Sequence, residues 1–331
     1  MKKQIVFIFL ISMTMVVNAQ NNPAWDDNST KIWADEFKLA EIPSSLDGEI
    51  QKAYVYFQES KTPKPLIVSL HSWSGNYTQK DPLAKQILKN QWNYIHPDFR
   101  GANNKPKACG SEFVLADIDD AISFAIKNGN VDLEQIHVVG ASGGGFATML
   151  AYMKSAHDIK TFSSWVGISD LVKWYYESLG RGNKYARHIS MATTGDTITI
   201  DTEEAKKRSP FFMDTPIQKR QNSKFYLYCG IHDGYTGSVP ITQTIDFYNK
   251  LATDVLPENE KSLVPQKVRE TMLRQRNLPG SELNEKLGDR KIWYKNSCRD
   301  KIFLTVFEGG HEMVVEEGLH AAIESTMNAK K

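Results

Sequence analysis

The 331-residue sequence has little cysteine and no marked excess of charge of either sign. Its three cysteines, Cys109, Cys229 and Cys298, allow at most one disulfide, and none stands in the Cys/His spacing of a zinc site. We expect Cys229 to be a buried thiol, whereas the sequence does not decide whether Cys109 and Cys298 are joined. The 40 Lys and Arg residues almost balance the 39 Asp and Glu residues, which excludes a general nucleic-acid binder.

Long hydrophobic runs are also missing, except for one at the start of the chain. Lys2 and Lys3 precede the apolar residues 5–17, and the small residue Ala19 ends this stretch. This pattern is typical of a secretory signal peptide, so we predict that residues 1–19 are removed and that the protein is exported, periplasmic or secreted. No cysteine follows to carry a lipid anchor, and no later segment is apolar enough to predict a membrane span.

The rest of the chain, residues 20–331, is predicted to form a single α/β catalytic domain, since 41% of the residues in the sequence are hydrophobic. Short apolar runs of strand type alternate with helical patterns, which predicts a mostly parallel twisted sheet with helices on both faces. No internal repeat or low-complexity segment is present. We predict eight strands, at residues 36–42, 50–58, 66–70, 92–96, 136–139, 162–168, 224–230 and 301–307, and helices at 82–90, 116–127, 146–153 and 312–328.

A glycine-rich turn links one of these strands to a helix. Gly140-Ala141-Ser142-Gly143-Gly144 matches the pattern Gly-x-Ser-x-Gly, and a strand precedes it and a helix follows it. In that setting the pattern is the nucleophile elbow of the α/β-hydrolase fold, which holds a serine at the N-terminus of a helix. The alternative is a glycine-rich loop that cradles a phosphate at a helix start.

A reactive serine needs a base and a group that orients the base, and α/β-hydrolases supply them in the order Ser, Asp or Glu, His. Asp233 follows the strand at 224–230, and His311 follows the last strand, directly after two glycines. We therefore predict the catalytic residues Ser142, Asp233 and His311. Asp170 is the alternative carboxylate but fits a helix N-cap, and His320 falls inside the closing helix.

An acyl-transfer site also needs two donors for the oxyanion. We expect one to be the backbone N–H of Gly143, the residue after the nucleophile. The other is predicted to be the backbone N–H of Trp73, in the loop after the strand ending at Leu70. The Trp73 ring is a candidate wall of the acyl pocket, and a packing role for the ring is the alternative.

Two long segments interrupt the alternation of strands and helices. Residues 173–222 and about 255–300 contain helix-like patches, so we expect two inserted helical segments near the active-site edge of the sheet. Each insert has three more Lys and Arg than Asp and Glu, a balance that would attract a polyanion. Candidate substrate contacts are Arg181 and Arg187, with Trp293 and Tyr294 as rings that stack on sugars; a solvated helix face is the alternative.

From Pro65 onward, apart from the second insert, the chain resembles the prolyl-oligopeptidase-like branch of the α/β-hydrolases. The matching motifs are Gly140-Ala141-Ser142-Gly143-Gly144, Arg208-Ser209-Pro210, Tyr226-Leu227-Tyr228-Cys229-Gly230-Ile231-His232-Asp233-Gly234, Ser238-Val239-Pro240 and Gly310-His311. The resemblance implies a serine hydrolase with the same triad and no metal or cofactor. Peptidases of this branch usually carry a β-propeller, and nothing before Leu66 is long enough for one.

Two further departures bear on the substrate. The second oxyanion donor in those peptidases is typically a tyrosine side chain, whereas the local candidates here are Trp73 and Tyr77, and no acidic pair stands out to hold a peptide amino terminus. Exported members without a propeller include esterases of plant cell-wall polysaccharides. The first hypothesis is thus an exported serine esterase for a polysaccharide or oligosaccharide ester, with pectin methyl ester as the leading substrate. The alternatives are a prolyl-oligopeptidase-like peptidase, an acetyl or feruloyl carbohydrate esterase, and a non-catalytic carbohydrate-binding protein.

Overall fold

The computed structural model of this chain describes Asp26, residues 33–280 and residues 283–329. The predicted signal peptide, residues 1–19, lies outside the described residues. Within the described part of the chain, no helix combines the length and the apolar character needed to cross a bilayer.

A mixed sheet forms the centre of the structure. The described residues contribute ten strands in the order β1-β2-β4-β3-β5-β6-β7-β10-β9-β8. The six from β4 to β10 in this order are parallel, whereas β1, β2, β8 and β9 add antiparallel pairs at the two edges. The strands are β1 (Lys38–Pro43), β2 (Ile50–Tyr56), β3 (Lys64–Leu70), β4 (Asn93–Pro97), β5 (Val131–Ala141), β6 (Thr161–Trp165), β7 (Lys224–Gly230), β8 (Lys286–Leu287), β9 (Arg290–Cys298) and β10 (Ile302–Phe307).

Helices connect and cover these strands. Short 3-10 helices occur at Pro210–Phe212, Glu260–Ser262 and Val315–Glu317. The α-helices of the described residues are α1 (Ala84–Asn90), α2 (Glu112–Asn128), α3 (Gly143–Lys154), α4 (Leu171–Gly180), α5 (Tyr185–Thr194), α6 (Thr202–Lys207), α7 (Ile241–Val255), α8 (Gln266–Gln275) and α9 (His320–Ala329).

Helices bury both faces of the parallel sheet, and successive side chains of a strand point to opposite faces. On β3, Leu66 and Val68 join the core under α2, α3 and α7, whereas Ile67 joins the core under α1 and α9. A third apolar cluster lies among α3, α4, α5 and α6 and includes Trp73. The mostly parallel sheet with helices on both faces was therefore predicted correctly.

The strand count was predicted wrongly, since ten strands form instead of eight. The two additional strands, β8 and β9, lie in the segment at about 255–300 that we expected to be helical. The first half of this segment contains the helix α8, and the second half contains the two strands. Gly288, with φ 60°, makes the tight reversal between β8 and β9. Along β9 only Ile292 and Cys298 are buried, so the alternation expected of a strand is weak in the sequence.

The three cysteines are all free and buried, so Cys109 and Cys298 do not form a disulfide. Cys109 packs in the cluster beneath α4 and α5, whereas Cys229 and Cys298 pack in the core under α7. The expectation of a buried thiol at Cys229 is confirmed. Burial raises the pKa of the Cys109 thiol to about 12, which keeps it protonated and unreactive.

Candidate active site

Ser142 lies at the sharp turn from β5 into α3, with φ 57° and ψ −116°. This backbone conformation is rare for a residue with a side chain, and it lifts the hydroxyl above the sheet. A Cβ on Gly140 would lie 2.4 Å from the carbonyl carbon of Gly144, and one on Gly144 would lie 2.1 Å from the Leu70 oxygen. The turn is therefore sterically restricted to glycine at both positions.

The three residues predicted as a triad meet at this turn. Nε2 of His311 lies 2.9 Å from Oγ of Ser142, and Nδ1 of His311 lies 2.7 Å from Oδ2 of Asp233. An ionised carboxylate only accepts hydrogen bonds, so Nδ1–H donates to Asp233 and Nε2 is left to accept the Ser142 proton. This arrangement can draw a proton from the serine when its oxygen attacks a carbonyl.

The turn after β7 holds the Asp233 carboxylate in place. Its Oδ1 accepts hydrogen bonds from the backbone N–H groups of Gly234, at 2.8 Å, and Val239, at 3.1 Å. Gly237 lies against both partners, since a Cβ there would be 2.3 Å from Asp233 Oδ1 and 2.6 Å from the His311 Cβ. Gly237 was not predicted from the sequence, although the Asp-Gly-Tyr-Thr-Gly-Ser run is a signal for a tight turn.

Helix α4 braces the far end of this turn. The indole N–H of Trp174 donates to the Ser238 carbonyl at 2.9 Å, one residue before Val239. Asp170 caps this helix by accepting from the Lys173 N–H at 3.0 Å, which agrees with the N-cap alternative for that residue. His320 begins α9 and lies 3.5 Å from Glu317, again away from the triad.

The loop after β3 lies against the residue that follows Ser142. A Cβ on Gly143 would lie 2.3 Å from the Trp73 nitrogen, so only glycine allows the loop after β3 to come this close. Gly143 is the first residue of α3 and has no acceptor within its helix. Among the described residues, neither the Trp73 N–H nor the Gly143 N–H donates a hydrogen bond. These two N–H groups remain the candidate oxyanion donors, and that of Gly143 directly follows Ser142.

The Trp73 ring packs in the core and does not form the predicted pocket wall. Trp73 is 2% exposed, and its ring contacts the Trp174 ring edge-on, with 4.7 Å between the ring centroids. Its indole N–H donates to Nδ1 of His188 at 3.2 Å. The Tyr77 ring stacks on the Tyr54 ring of β2, with 6.1 Å between the ring centroids.

Basic side chains of the α4–α5 region surround the site on one side. Arg181 is exposed and donates to the Ser238 carbonyl at 3.3 Å, and Lys184 lies 3.4 Å from the Ser74 hydroxyl. Arg187 is exposed on α5. The structure thus brings Arg181 close to the Asp233 turn, and it brings Lys184, which the sequence analysis did not select, close to the loop of Trp73.

Trp293 lies elsewhere, on β9, with its ring packed against the main core. Its indole N–H donates to Glu308 at 2.7 Å, and Lys291 covers one face of the ring at 3.8 Å. The same Glu308 carboxylate contacts Nε2 of His232 at 2.6 Å. The expectation that Trp293 stacks on a substrate sugar is therefore not supported, because the contacts of the ring are structural.

Asp26, far away in the sequence, also reaches the active-site edge. The Ser72 hydroxyl donates a hydrogen bond to the Asp26 carboxylate, and Ser72 directly precedes Trp73. No local sequence pattern links two residues separated by 46 positions, so sequence analysis had no signal for this contact. Across the described residues, no group of three or more His, Cys, Asp or Glu side chains is placed to hold a metal ion.

Comparison with known proteins decides the family. The BD-FAE family model matches residues 54–251, which include Ser142 and Asp233. The chain belongs to the BD-FAE family. This match covers more than half of the chain and extends from β2 to α7, so the BD-FAE region contains the elbow, the loop of Trp73 and the α4–α5 region.

Relatives of this BD-FAE protein include peptidases. An uncharacterised peptidase, YtmA, from Bacillus subtilis (strain 168) is 30% identical over 125 residues, which are 37% of this chain and 46% of that protein. Acylamino-acid-releasing enzyme 1 of Oryza sativa subsp. japonica is 27% identical over 192 residues, 49% of this chain and 24% of the rice protein. This chain therefore spans less than half the length of the curated relatives that it matches.

A solved structure supports the fold. The uncomplexed acylaminoacyl peptidase of Pyrococcus horikoshii superimposes with a TM-score of 0.55 at 16% identity, over 88% of this chain and 41% of that one. At this identity the likeness concerns the fold alone. Together the comparisons show that the chain is similar to α/β-hydrolases that include acylaminoacyl peptidases, and with the triad geometry they support a serine hydrolase.

Proposed function

We propose that this protein is a serine peptidase that cleaves short peptides with a blocked amino terminus. The observation that carries the proposal is the contact of His311 with both Ser142, at 2.9 Å, and Asp233, at 2.7 Å. The relatives named as a peptidase and as an acylamino-acid-releasing enzyme support peptide substrates over the pectin methyl ester of our first hypothesis.

In the proposed reaction, Ser142 Oγ attacks the carbonyl carbon of the substrate amide while His311 Nε2 takes the hydroxyl proton. Asp233 stabilises the imidazolium that forms and holds its orientation. His311 then gives this proton to the leaving amine, and the C–N bond breaks to leave an acyl-enzyme. Water attacks the acyl-enzyme with the help of His311, which releases the acid and restores Ser142.

The tetrahedral intermediates carry a negative oxygen, and the N–H groups of Trp73 and Gly143 are the proposed donors to it. Both are backbone groups held by close contact between the loop after β3 and the start of α3. Donors fixed in advance do not need to reorganise when the charge appears, and one such donor contributes about 10²–10³-fold to the rate.

Acetyl-alanine p-nitroanilide tests this proposal, with alanine p-nitroanilide as the matched substrate that has a free amino terminus. We expect release of nitroaniline from the blocked substrate, and no release by the Ser142→Ala variant. Hydrolysis of p-nitrophenyl acetate without cleavage of any blocked anilide or blocked peptide would reject the peptidase and keep the serine hydrolase.

An esterase of an anionic polysaccharide is the second candidate, and the basic side chains beside the site favour it. Arg181 and Lys184 contact the two loops that flank Ser142, and the exposed Arg187 lies on the same helix pair. Such a rim attracts uronate carboxylates. We expect methanol release from methyl-esterified pectin if this candidate is correct, and the same assay with acetyl and feruloyl polysaccharide esters separates the remaining alternatives.

Export to the periplasm or the medium is also proposed, from the charged, apolar and small-residue pattern of residues 1–19. Expression of the full chain with and without this segment tests it. We expect the intact form to be recovered outside the cytoplasm with a new amino terminus near Gln20. Recovery of the uncleaved chain in the cytoplasm would contradict export.

A further inference from the structure

The contact between Trp73 and His188 assigns the protonation state of the histidine. An indole N–H can only donate, and Trp73 Nε1 lies 3.2 Å from His188 Nδ1. Nδ1 must therefore be unprotonated and accept, so that the neutral ring carries its hydrogen on Nε2. A protonated imidazole would place an N–H opposite the indole N–H, and the two donors would repel each other.

This contact holds the residue that supplies one proposed oxyanion donor. The Trp73 ring meets the rings of Trp174 and Tyr185 edge-on, at 4.7 and 6.2 Å, so apolar packing surrounds it. Among the described residues, His188 is its hydrogen-bond partner. The backbone nitrogen of Trp73 must stay about 2.7–3.1 Å from the developing oxyanion to donate to it, so a shift of the Trp73 ring that moves the backbone also weakens this hydrogen bond.

The surroundings of His188 favour the neutral form. Burial first, and then the charges of Lys184 and Arg187 on the same helix, lower the pKa of His188 below its ordinary value. The Tyr185 ring, on the same helix, faces the His188 ring with 6.1 Å between the ring centroids. The loop after β3 contributes the uncharged Trp73 to the surroundings of His188. The proposed contact is thus maintained at neutral pH.

We propose that His188 is a positioning residue that holds the Trp73 oxyanion donor in place, and that it does so only while its imidazole is neutral. This inference rests on the oxyanion role proposed for Trp73. Acidification then impairs catalysis through the oxyanion donor as well, since protonation of His188 displaces Trp73.

Two substitutions of His188 separate these effects. His188→Asn places an oxygen near the position of Nδ1 and cannot be protonated, whereas His188→Phe keeps a ring but removes the acceptor. We expect His188→Phe to lower kcat for p-nitrophenyl acetate by about tenfold at neutral pH with little change in KM. His188→Asn should keep most of kcat, and the acid limb of its log(kcat/KM) profile should be less steep than that of the unmodified protein.

A Trp73→Phe background controls for loss of packing, because it lacks the indole N–H. There, His188→Phe should have no further effect on kcat, whereas a general packing defect would lower kcat again. Equal kcat for His188→Phe and the unmodified protein, or an unchanged acid limb in His188→Asn, would overturn the proposal. Because the substrate is an ester, the outcome does not depend on whether the protein cleaves peptides. If the unmodified protein does not turn over the ester at all, both the proposed function and the oxyanion role of Trp73 are rejected.

Discussion

At the scale of single residues, the active site depends on places where a side chain does not fit. The Gly140–Gly144 contact shapes the elbow, the Gly143–Trp73 contact brings two N–H groups together, and Gly237 lies against both Asp233 and His311. In each case the added Cβ would lie under 3 Å from its neighbour, much closer than van der Waals contact allows. Glycine at these positions therefore determines the distances among the catalytic groups.

Gly237→Ala tests this steric account. The new methyl group would lie 2.3 Å from Asp233 Oδ1, so the turn has to move and the Asp233–His311 contact has to change. We expect kcat for p-nitrophenyl acetate to fall by about 10²-fold, since small misplacements of catalytic groups cost this much, while KM changes little. Steady-state kinetics on the purified variant measures the effect.

Gly180→Ala is the matched control, because a Cβ at that position meets nothing within 4 Å. It should leave kcat and KM unchanged. Full activity in Gly237→Ala would contradict the steric role of Gly237.

The sequence predicted the residues that now meet in space because each follows a strand in the same parallel sheet. The carboxyl ends of β5, β7 and β10 lie at one edge, so Ser142, Asp233 and His311 were expected there. His188 and Asp26 could not be predicted in this way. Their contacts with Trp73 and Ser72 join residues 115 and 46 positions apart, and neither residue follows a strand of the sheet.

At the scale of secondary-structure elements, the hairpin of β8 and β9 extends the parallel sheet beyond β10. Strand β9 pairs with β10, and the Glu308 N–H, just after β10, donates to the Lys291 carbonyl at 2.7 Å. Glu308 also contacts Trp293 of β9 and His232, the residue before Asp233. The hairpin thereby supports the two turns that carry Asp233 and His311.

Ile292→Ala tests how strongly the hairpin is bound to the core. The Ile292 side chain is 3% exposed and packs in the core under α1 and α9. Because the truncation removes buried methylene groups and leaves a cavity, we expect the free energy of unfolding to fall by about 2–4 kcal/mol. Urea unfolding followed by fluorescence measures this change.

Lys295→Ala, on the same strand, provides the comparison, since the Lys295 side chain is 44% exposed. Its ion pair with Glu285 is a surface contact and contributes about 0–1 kcal/mol. Equal effects of the two substitutions would show that Ile292 is not part of a packed core.

The sequence did not reveal this hairpin because strand signals in it are weak. Lysines at 291 and 295 and the half-buried rings at 293 and 294 break the alternation of buried and exposed residues, and pairing with β10 outweighs the local preference. The central strands were easier to predict, since they are buried on both faces and appear as continuous apolar runs.

At the scale of the whole molecule, buried histidines, among them His96 and His137, make stability depend on pH. Burial lowers the pKa of His96 to about 4 and that of His137 to about 3, from an ordinary value of 6.5. Both rings are neutral in the folded protein, whereas the unfolded chain protonates them below pH 6.5. Stability is therefore complete above that pH and decreases as the pH falls toward the folded-state values.

Unfolding by urea at pH 7 and pH 5 tests this expectation. For each of these histidines, the unfolding free energy should be about 2 kcal/mol lower at pH 5 than at pH 7, because one pKa unit corresponds to about 1.4 kcal/mol. His137→Asn keeps a partner for Thr161, which lies 2.8 Å from Nδ1, and removes the titrating group. We expect the pH dependence of the unfolding free energy to be about 2 kcal/mol smaller in this variant.

His320→Asn is the control for the substitution itself, since the His320 side chain is 53% exposed. A stability that stays constant from pH 7 to pH 5 in the unmodified protein would contradict the account of the buried histidines.

The most direct test of the catalytic account is covalent labelling with a fluorophosphonate, followed by mass spectrometry of the peptides. A serine made reactive by His311 and Asp233 attacks phosphorus, and fluoride leaves. We predict one adduct per chain, on Ser142, with labelling abolished in Ser142→Ala and strongly slowed in His311→Gln. An unlabelled Ser142, or an adduct on another residue at the same rate, would contradict the account.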